Sequence, residues 1–277
     1  MVNVCLMLFV FIFIYPYIYM IINSLKYEID LMDPGTSWIL TRVNIGNYSR
    51  MLKAIDFFGG FATSMLVSGL SAFGQVMSCS LIGYGLARFK FKGNNLIFAV
   101  IMVALIIPPS IFSIPLYVQF VSFKWVETIL PIVVPCFFGF GLKGGLFIFV
   151  FRQYFIGLPK SYEEAARIEG CGELRIFARI ILPIASSAVL VTAILSFVWH
   201  WNDAFEPTTY LRGTTQMLSQ LIPLMNIGQY VFSTASGNAI CQPALAACVC
   251  STLPLVLVYV FVQKRFIAGI ESCGLAN

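Results

Sequence analysis

Six long apolar runs decide what this chain can fold into. A helix needs roughly 20 apolar residues to cross the hydrocarbon core of a bilayer. Segments 4–25, 61–86, 96–117, 129–151, 183–199 and 239–262 lie near that length. Lipid offers no partner to a bare N–H or C=O, and an open sheet has an edge, so each segment is expected to be a helix. Composition agrees: 59% of the 277 residues are hydrophobic and 10% are charged, where an ordinary soluble domain has about a quarter charged. The mean hydropathy is +0.89. The expected fold is all-α, a polytopic membrane protein with six transmembrane helices. No repeat, low-complexity tract or linker divides residues 1–277, which read as one transmembrane domain.

The first run, "VCLMLFVFIFIYPYIYMII", extends past the roughly 7 to 15 residues of a signal core and has no basic flank before it, so it reads as a retained span. Basic residues favour the cytoplasmic side of a span. Arg88, Lys90, Lys92, Arg152, Lys160, Arg167, Arg175, Arg179, Lys264 and Arg265 share one side with the C-terminal tail. The other side holds Lys26, Arg42, Arg50, Lys53, Lys124 and Arg212, the first four among Glu28, Asp30, Asp33 and Asp56. Both termini are therefore expected in the cytoplasm. The net charge of +5 is mostly this topology signal, and nucleic acid is not an expected partner. Cys5, Cys79, Cys136, Cys241, Cys248 and Cys250 sit in or beside apolar runs, Cys171 lies in a loop and Cys273 in the tail; none has metal-ligand spacing, and they read as small apolar filler.

One stretch interrupts the oil. "SYEEAARIEGCGELRIFARIILP", residues 161–183, carries Glu163, Glu164, Arg167, Glu169, Glu173, Arg175 and Arg179. Pro159 suits a helix start, and Ser161 with Glu164 has capping-box spacing. Gly170 can take a left-handed turn that ends this short helix, after which "CGELRIFARIILP" begins a second. A helix, a corner and a second helix against the membrane make a knob suited to a groove on another protein. The competing reading is an interfacial amphipathic helix, its arginines on acidic lipid and Ile176, Phe177 and Ile180 at the acyl boundary.

The order Glu164, Ala165, Ala166, three residues, Gly170, nine residues, Ile180, one residue, Leu182, Pro183 resembles the EAA signature of ABC-importer permeases at each defined position. The chain also resembles their maltose-type, carbohydrate-importing branch in "GYGLARFKFKG" at 83–93, "FRQYFIGLPKSYEEAARIEG" at 151–170, "WNDAFEP" at 201–207 and "QKRFIAGI" at 263–270. The resemblance implies a permease subunit in a bacterial-type plasma membrane. Its EAA loop, about 152–182, would dock on a cytoplasmic ATPase through Glu163, Glu164, Ala165, Ala166, Gly170, Ile180, Leu182 and Pro183. It implies a second homologous permease, two ATPase subunits, an extracytoplasmic solute-binding protein and a di- or oligosaccharide cargo. The outer loop, about 203–238, would meet the binding protein, with Trp201, Asn202 and Asp203 facing it. ATP would bind the partner subunit. Consistently, the sequence has no G-x-x-x-x-G-K-[ST], and "GFGLKGG" at 139–145 lacks the closing Lys-Ser/Thr.

Ser64, Ser68, Ser71, Gln75 and Ser78 step by four, three, four and three along the second run, so they share one helical face. They are candidates for a translocation path. The same small residues also suit close helix contact, as do Gly141 and Gly145. Lys143, inside the fourth run, is a further path candidate: a charge there costs at least roughly 2.5 kcal/mol unless it faces water, another subunit or an interface. Pro108, Pro109 and Pro115 are expected to kink or end the third helix. His200, the lone histidine, could pair with Asp203 and a distant serine such as Ser236, but nothing in the sequence fixes that geometry; Trp199 and Trp201 mark an interface instead. A secondary transporter is the alternative function, and it would usually place ionisable residues in the spans. Lys143 is present there without an Asp or Glu, and no nucleophile or metal motif points to an intramembrane enzyme.

Overall fold

The computed structural model describes residues 2–27, 30, 38–211, 213, 215–226 and 242–274. The expected readings for Glu28, Asp33, Arg212, Ser236, Cys241, residues 227–238 of the outer loop and the start of the sixth run lie outside the described residues, as do those for the side chains of Arg265 and Cys273. Among the described residues there are helices and no strands. Two compact units form, Met1–Ala62 with Gln216–Val258, and Thr63–Thr215 with Tyr259–Asn277.

In the first unit, α1 (Val2–Ser24) is exposed from Leu6 to Tyr17, as a lipid-facing helix should be. At its end Asn47, in α2 (Gly46–Ala54), donates through Nδ2 to the carbonyls of Ser24 and Lys26 at 2.9 Å each. The Ser24 and Tyr48 hydroxyls meet at 3.0 Å. Helix α3 (Phe57–Arg88) starts in this unit, where Gly60 leaves room for Leu218 and Leu221 of α13 (Leu218–Asn226). Helix α14 (Gln242–Gly274) buries Ala244, Ala246 and Ala247 and exposes Leu253, Val256 and Leu257.

The second unit is a helical bundle around α3. The third run is not one helix. Helix α4 (Asn94–Ile106) ends before Pro108 and Pro109, and α5 (Ser110–Ser122) leaves at 101° to it. A proline supplies no N–H and crowds the preceding turn, so the paired prolines end the helix as expected. Pro115, by contrast, is accommodated inside α5. The fourth run is likewise broken, into α6 (Leu130–Cys136) and α7 (Gly144–Gly157). The charged loop after α7 forms α8 (Ser161–Ile168), α9 (Glu173–Ile176), a π turn (Phe177–Ile181) and α10 (Leu182–Ile184). The chain then bends by 80° into α11 (Ser186–Asn202). Helix α12 (Phe205–Tyr210) follows. Among the described residues three helices are long and apolar enough to cross a membrane, or up to five if each bent pair is one span.

Tight contact in this bundle depends on glycine. A Cβ on Gly83 would lie 2.7 Å from Phe151 Cβ and 3.0 Å from the Arg152 nitrogen, so α3 and α7 approach at that point as only glycine permits. Gly145 of α7 sits against Ile101 and Leu105 of α4 in the same way. Gly141 serves a close approach too, but to Gln75 and Cys136 from within the break and not from a helix. The core that results gathers Cys79, Tyr84, Phe147, Phe151, Phe155, Ala166, Ile176, Phe177, Ile181 and Ala188.

Candidate functional site

The charged stretch folds onto this core. Helix α8 turns Glu163 and Ala166 inward and Tyr162, Glu164, Ala165 and Ile168 outward. The capping box does not form: Lys160 is already helical, its carbonyl accepts from Glu163 and Glu164, and Ser161 falls inside the first turn. The end of α8 follows the expected chemistry. Gly170 has φ of 79°, Cys171 N–H reaches the Ala166 carbonyl at 3.0 Å and Gly170 N–H reaches that of Arg167 at 2.9 Å. That pair of bonds is a Schellman cap, which needs a left-handed residue. Across the corner Arg167 grips Glu173 with two bonds of 2.7 and 3.0 Å. The guanidinium holds the Glu173 carboxyl below its usual range, and the carboxylate raises the Arg167 value in turn.

Beneath the corner, Tyr84 of α3 packs its ring 5.7 Å from Phe155 and 5.2 Å from Phe177. Arg88, the last residue of α3, places Nε 2.6 Å from Glu163 Oε1. This is a charge contact lying off the line of a hydrogen bond. Arg88 Nη2 also donates to the Leu158 carbonyl at 2.8 Å.

The eight residues expected on the docking face therefore divide. Glu164, Ala165, Gly170 and Pro183 are exposed, Ile180 and Leu182 are half-buried against the core, and Glu163 and Ala166 are turned into the chain and are not on an outer face. Three exposed apolar side chains belong with the first group: Tyr162, Ile168 at 88% and Leu174 at 74%. Once Glu163 and Ala166 face inward, helical spacing puts Tyr162, Ala165 and Ile168 or Glu169 outward. The sequence held that spacing but not the inward partner, Arg88.

The serine stripe of α3 is fully enclosed by this chain. Ser64, Ser68, Ser71 and Gln75 are completely buried and Ser78 nearly so. Ser78 Oγ donates to the Cys136 carbonyl at 2.6 Å, Gln75 Nε2 to that of Leu142 at 2.9 Å, and Cys79 Sγ approaches that of Gly144. The Cys136 and Leu142 carbonyls flank the break between α6 and α7, where helical partners are missing. Gln75 and Ser78 thus stitch the interruption, the condition under which irregular backbone persists at membrane depth. From α11, Ser196 Oγ donates to Gln75 Oε1. His200 belongs to the same cluster, with Nδ1 2.8 Å from the Ser196 carbonyl and Nε2 3.6 Å from Cys136 Sγ. The Ser196 hydroxyl lies 3.4 Å from His200 Nδ1, but it is buried and is given to Gln75, so His200 reads as a packed histidine of this polar cluster.

Lys143 lies in the break itself, exposed, with a left-handed φ of 60°, and α7 begins after it. Its charge is thereby kept out of the helical part of the span. It borders a cavity of about 310 Å³ shared with Phe112, Pro135, Phe205, Glu206 and Tyr210. Burial, with Asp203 nearby, pushes the Glu206 carboxyl up to about 8. Asp203 caps α12, accepting from Glu206 N–H at 3.0 Å. Trp201 is buried beside Phe197, so only Asn202 of the three outer candidates is fully exposed.

The sequence matches the family profile of the binding-protein-dependent transport system inner membrane component over residues 80–272. It is 30% identical over 258 residues to the arabinooligosaccharides transport system permease protein AraQ of Halalkalibacterium halodurans, covering 92% of this chain and 88% of that one. It is 27% identical over 252 residues to the probable starch degradation products transport system permease protein AmyC of Thermoanaerobacterium thermosulfurigenes, covering 90% and 87%. Among solved structures, a bacterial ABC transporter involved in the import of the acidic polysaccharide alginate is similar in fold, with a TM-score of 0.79 at 21% identity over 95% of this chain and 94% of that one. With the profile spanning most of its length and AraQ aligned almost end to end, the chain belongs to the family of binding-protein-dependent transport system inner membrane components.

Proposed function

We propose that the chain is one permease subunit of an ABC importer for di- or oligosaccharides, acting as a single permease domain with both termini in the cytoplasm. It pairs with a second, homologous permease, two cytoplasmic ATPases that bind the ATP, and an extracytoplasmic solute-binding protein. The observation that carries this reading is the knob formed by α8 and its Schellman corner. An apolar face of Tyr162, Ala165, Ile168 and Leu174, bordered by Glu164, is presented away from a rigid core, as an anchor for a protein groove requires. An interfacial helix would instead direct its apolar face back to the bilayer, and on α9 and the π turn Ile176 and Phe177 are buried in protein.

Lys143 is the proposed contact on the solute path. The cavity it borders is within the size range of small-ligand sites, and the rings of Phe112, Phe205 and Tyr210 beside Lys143 and Glu206 suit sugar faces and hydroxyls. The saccharide names of the relatives support that class. Asn202 is the proposed outer contact for the binding protein.

Uptake of radiolabelled arabinotriose, maltotriose and raffinose into cells carrying the whole system tests the reading. At least one should accumulate in an ATPase-dependent way, and Ile168→Asp should abolish both that uptake and co-purification of the ATPase. Accumulation by this chain alone, driven by a proton gradient, would establish the secondary transporter instead.

A further inference from the structure

Glu163 stands beside the docking face and has a different environment. It is 2% exposed, and its carboxylate meets Arg88 at 2.6 Å and Arg167 at 3.6 Å. Arg88 closes α3 and also holds the Leu158 carbonyl at the end of α7. One guanidinium thus joins α3, α7 and α8. Thirteen residues back along α3, about 20 Å at 1.5 Å per residue, Gln75 is bonded to Ser196 of α11 and to the break before α7. Helix α3 is continuous between these two points. A displacement of α8 therefore has a stiff, charged route into the polar cluster at the middle of the bundle.

We propose that the Arg88–Glu163 pair is a strut that makes α8 and the cytoplasmic end of α3 move as one body, carrying motion of the docked ATPase to the polar cluster. This rests on α8 being the ATPase-docking helix. Glu163 is then a positioning residue that acts through Arg88 and touches no partner. A carboxylate on a docking face tolerates the loss of its charge when water replaces its partner. A buried strut does not, because the remaining guanidinium is left unpaired away from water.

The test is a distance measurement by pulsed electron resonance, with spin labels at Leu81→Cys on α3 and Ser161→Cys on α8, both exposed, and the accessible native cysteines replaced by serine. In the otherwise unmodified protein the distance should be the same in the nucleotide-free complex and in the complex trapped with ATP and vanadate. Glu163→Gln and Arg88→Gln should broaden the distribution while the ATPase still co-purifies, and the exchange Arg88→Glu with Glu163→Arg should narrow it again. Glu163→Asp keeps the charge but withdraws it by one methylene; it should also broaden the distribution, and it covers failure of the neutral variants to accumulate. A shift on trapping without these substitutions, or an unbroadened distribution in Glu163→Asp, overturns the strut. If no ATPase co-purifies with any form, the docking reading fails, and the strut is still decided by the width of the distribution in the isolated chain, Glu163→Asp against unmodified Glu163.

Discussion

Gly170 separates backbone conformation from packing. A Cβ there would meet nothing within 4 Å, yet its φ is 79°. Gly170→Val is therefore strained by about 1 to 3 kcal/mol through the backbone alone, whereas Gly170→Asn, a residue that tolerates this region, should be mild. We expect Gly170→Val to insert in normal amounts and lose ATPase co-purification, and Gly170→Asn to keep most of it; membrane content and pull-down yield measure both. Glu206 offers a pH test. Its folded-state value near 8 lies above its ordinary value, so folding takes up a proton between the two and stability falls as pH rises through that window. Glu206→Gln should flatten the decline in thermal midpoint between pH 6 and pH 9. Gly170 was legible in the sequence because a left-handed corner favours one residue type. Glu163 was not, since its inward aim depends on Arg88, far away in the chain.

Among elements, the α3–α7 contact is the most demanding. Gly83→Ala would bring a methyl group against Phe151 Cβ and the Arg152 backbone, where no flexible side-chain end can yield. Overpacking of this kind costs about 1 to 3 kcal/mol, and the expected outcome is a reduced yield of monodisperse protein in detergent, read by fluorescence-detected gel filtration. The link from α8 to α9 is weaker. Arg167 and Glu173 are each 42% exposed, so after solvent screening their bridge is worth about 0.5 kcal/mol or less. It is present above the ordinary carboxylate range and lost as pH falls through the depressed value of Glu173. Apolar length revealed where the helices lie, and Pro108 with Pro109 revealed where the third one ends. The interruption of the fourth run is hinted at by the four glycines and Lys143 of "FFGFGLKGG", but the answering of its open carbonyls from α3 is not legible, because a sequence can only place those side chains on a common face.

At the scale of the whole molecule, orientation and energy supply are separable. Ile168 is almost fully exposed, so a thiol at Ile168→Cys, in a background without accessible cysteines, should react with a membrane-impermeant maleimide in inside-out vesicles and not in intact cells. Labelling from outside would reverse the proposed topology. The purified chain by itself should release no phosphate from ATP, and hydrolysis should appear on addition of its ATPase. The 101° turn after Ile106 adds a consequence for the surrounding lipid. Helix α4 has 13 residues and rises about 20 Å, while an average hydrocarbon core is about 30 Å thick. If α4 crosses by itself, the bilayer beside it has to thin or dimple, at a cost that grows with each ångström of mismatch. Acyl-chain length should therefore act on this permease as temperature or salt acts on a soluble enzyme. Reconstituted with its partners into lipids of graded chain length, it should work best in the thinner bilayers and slow as the chains lengthen.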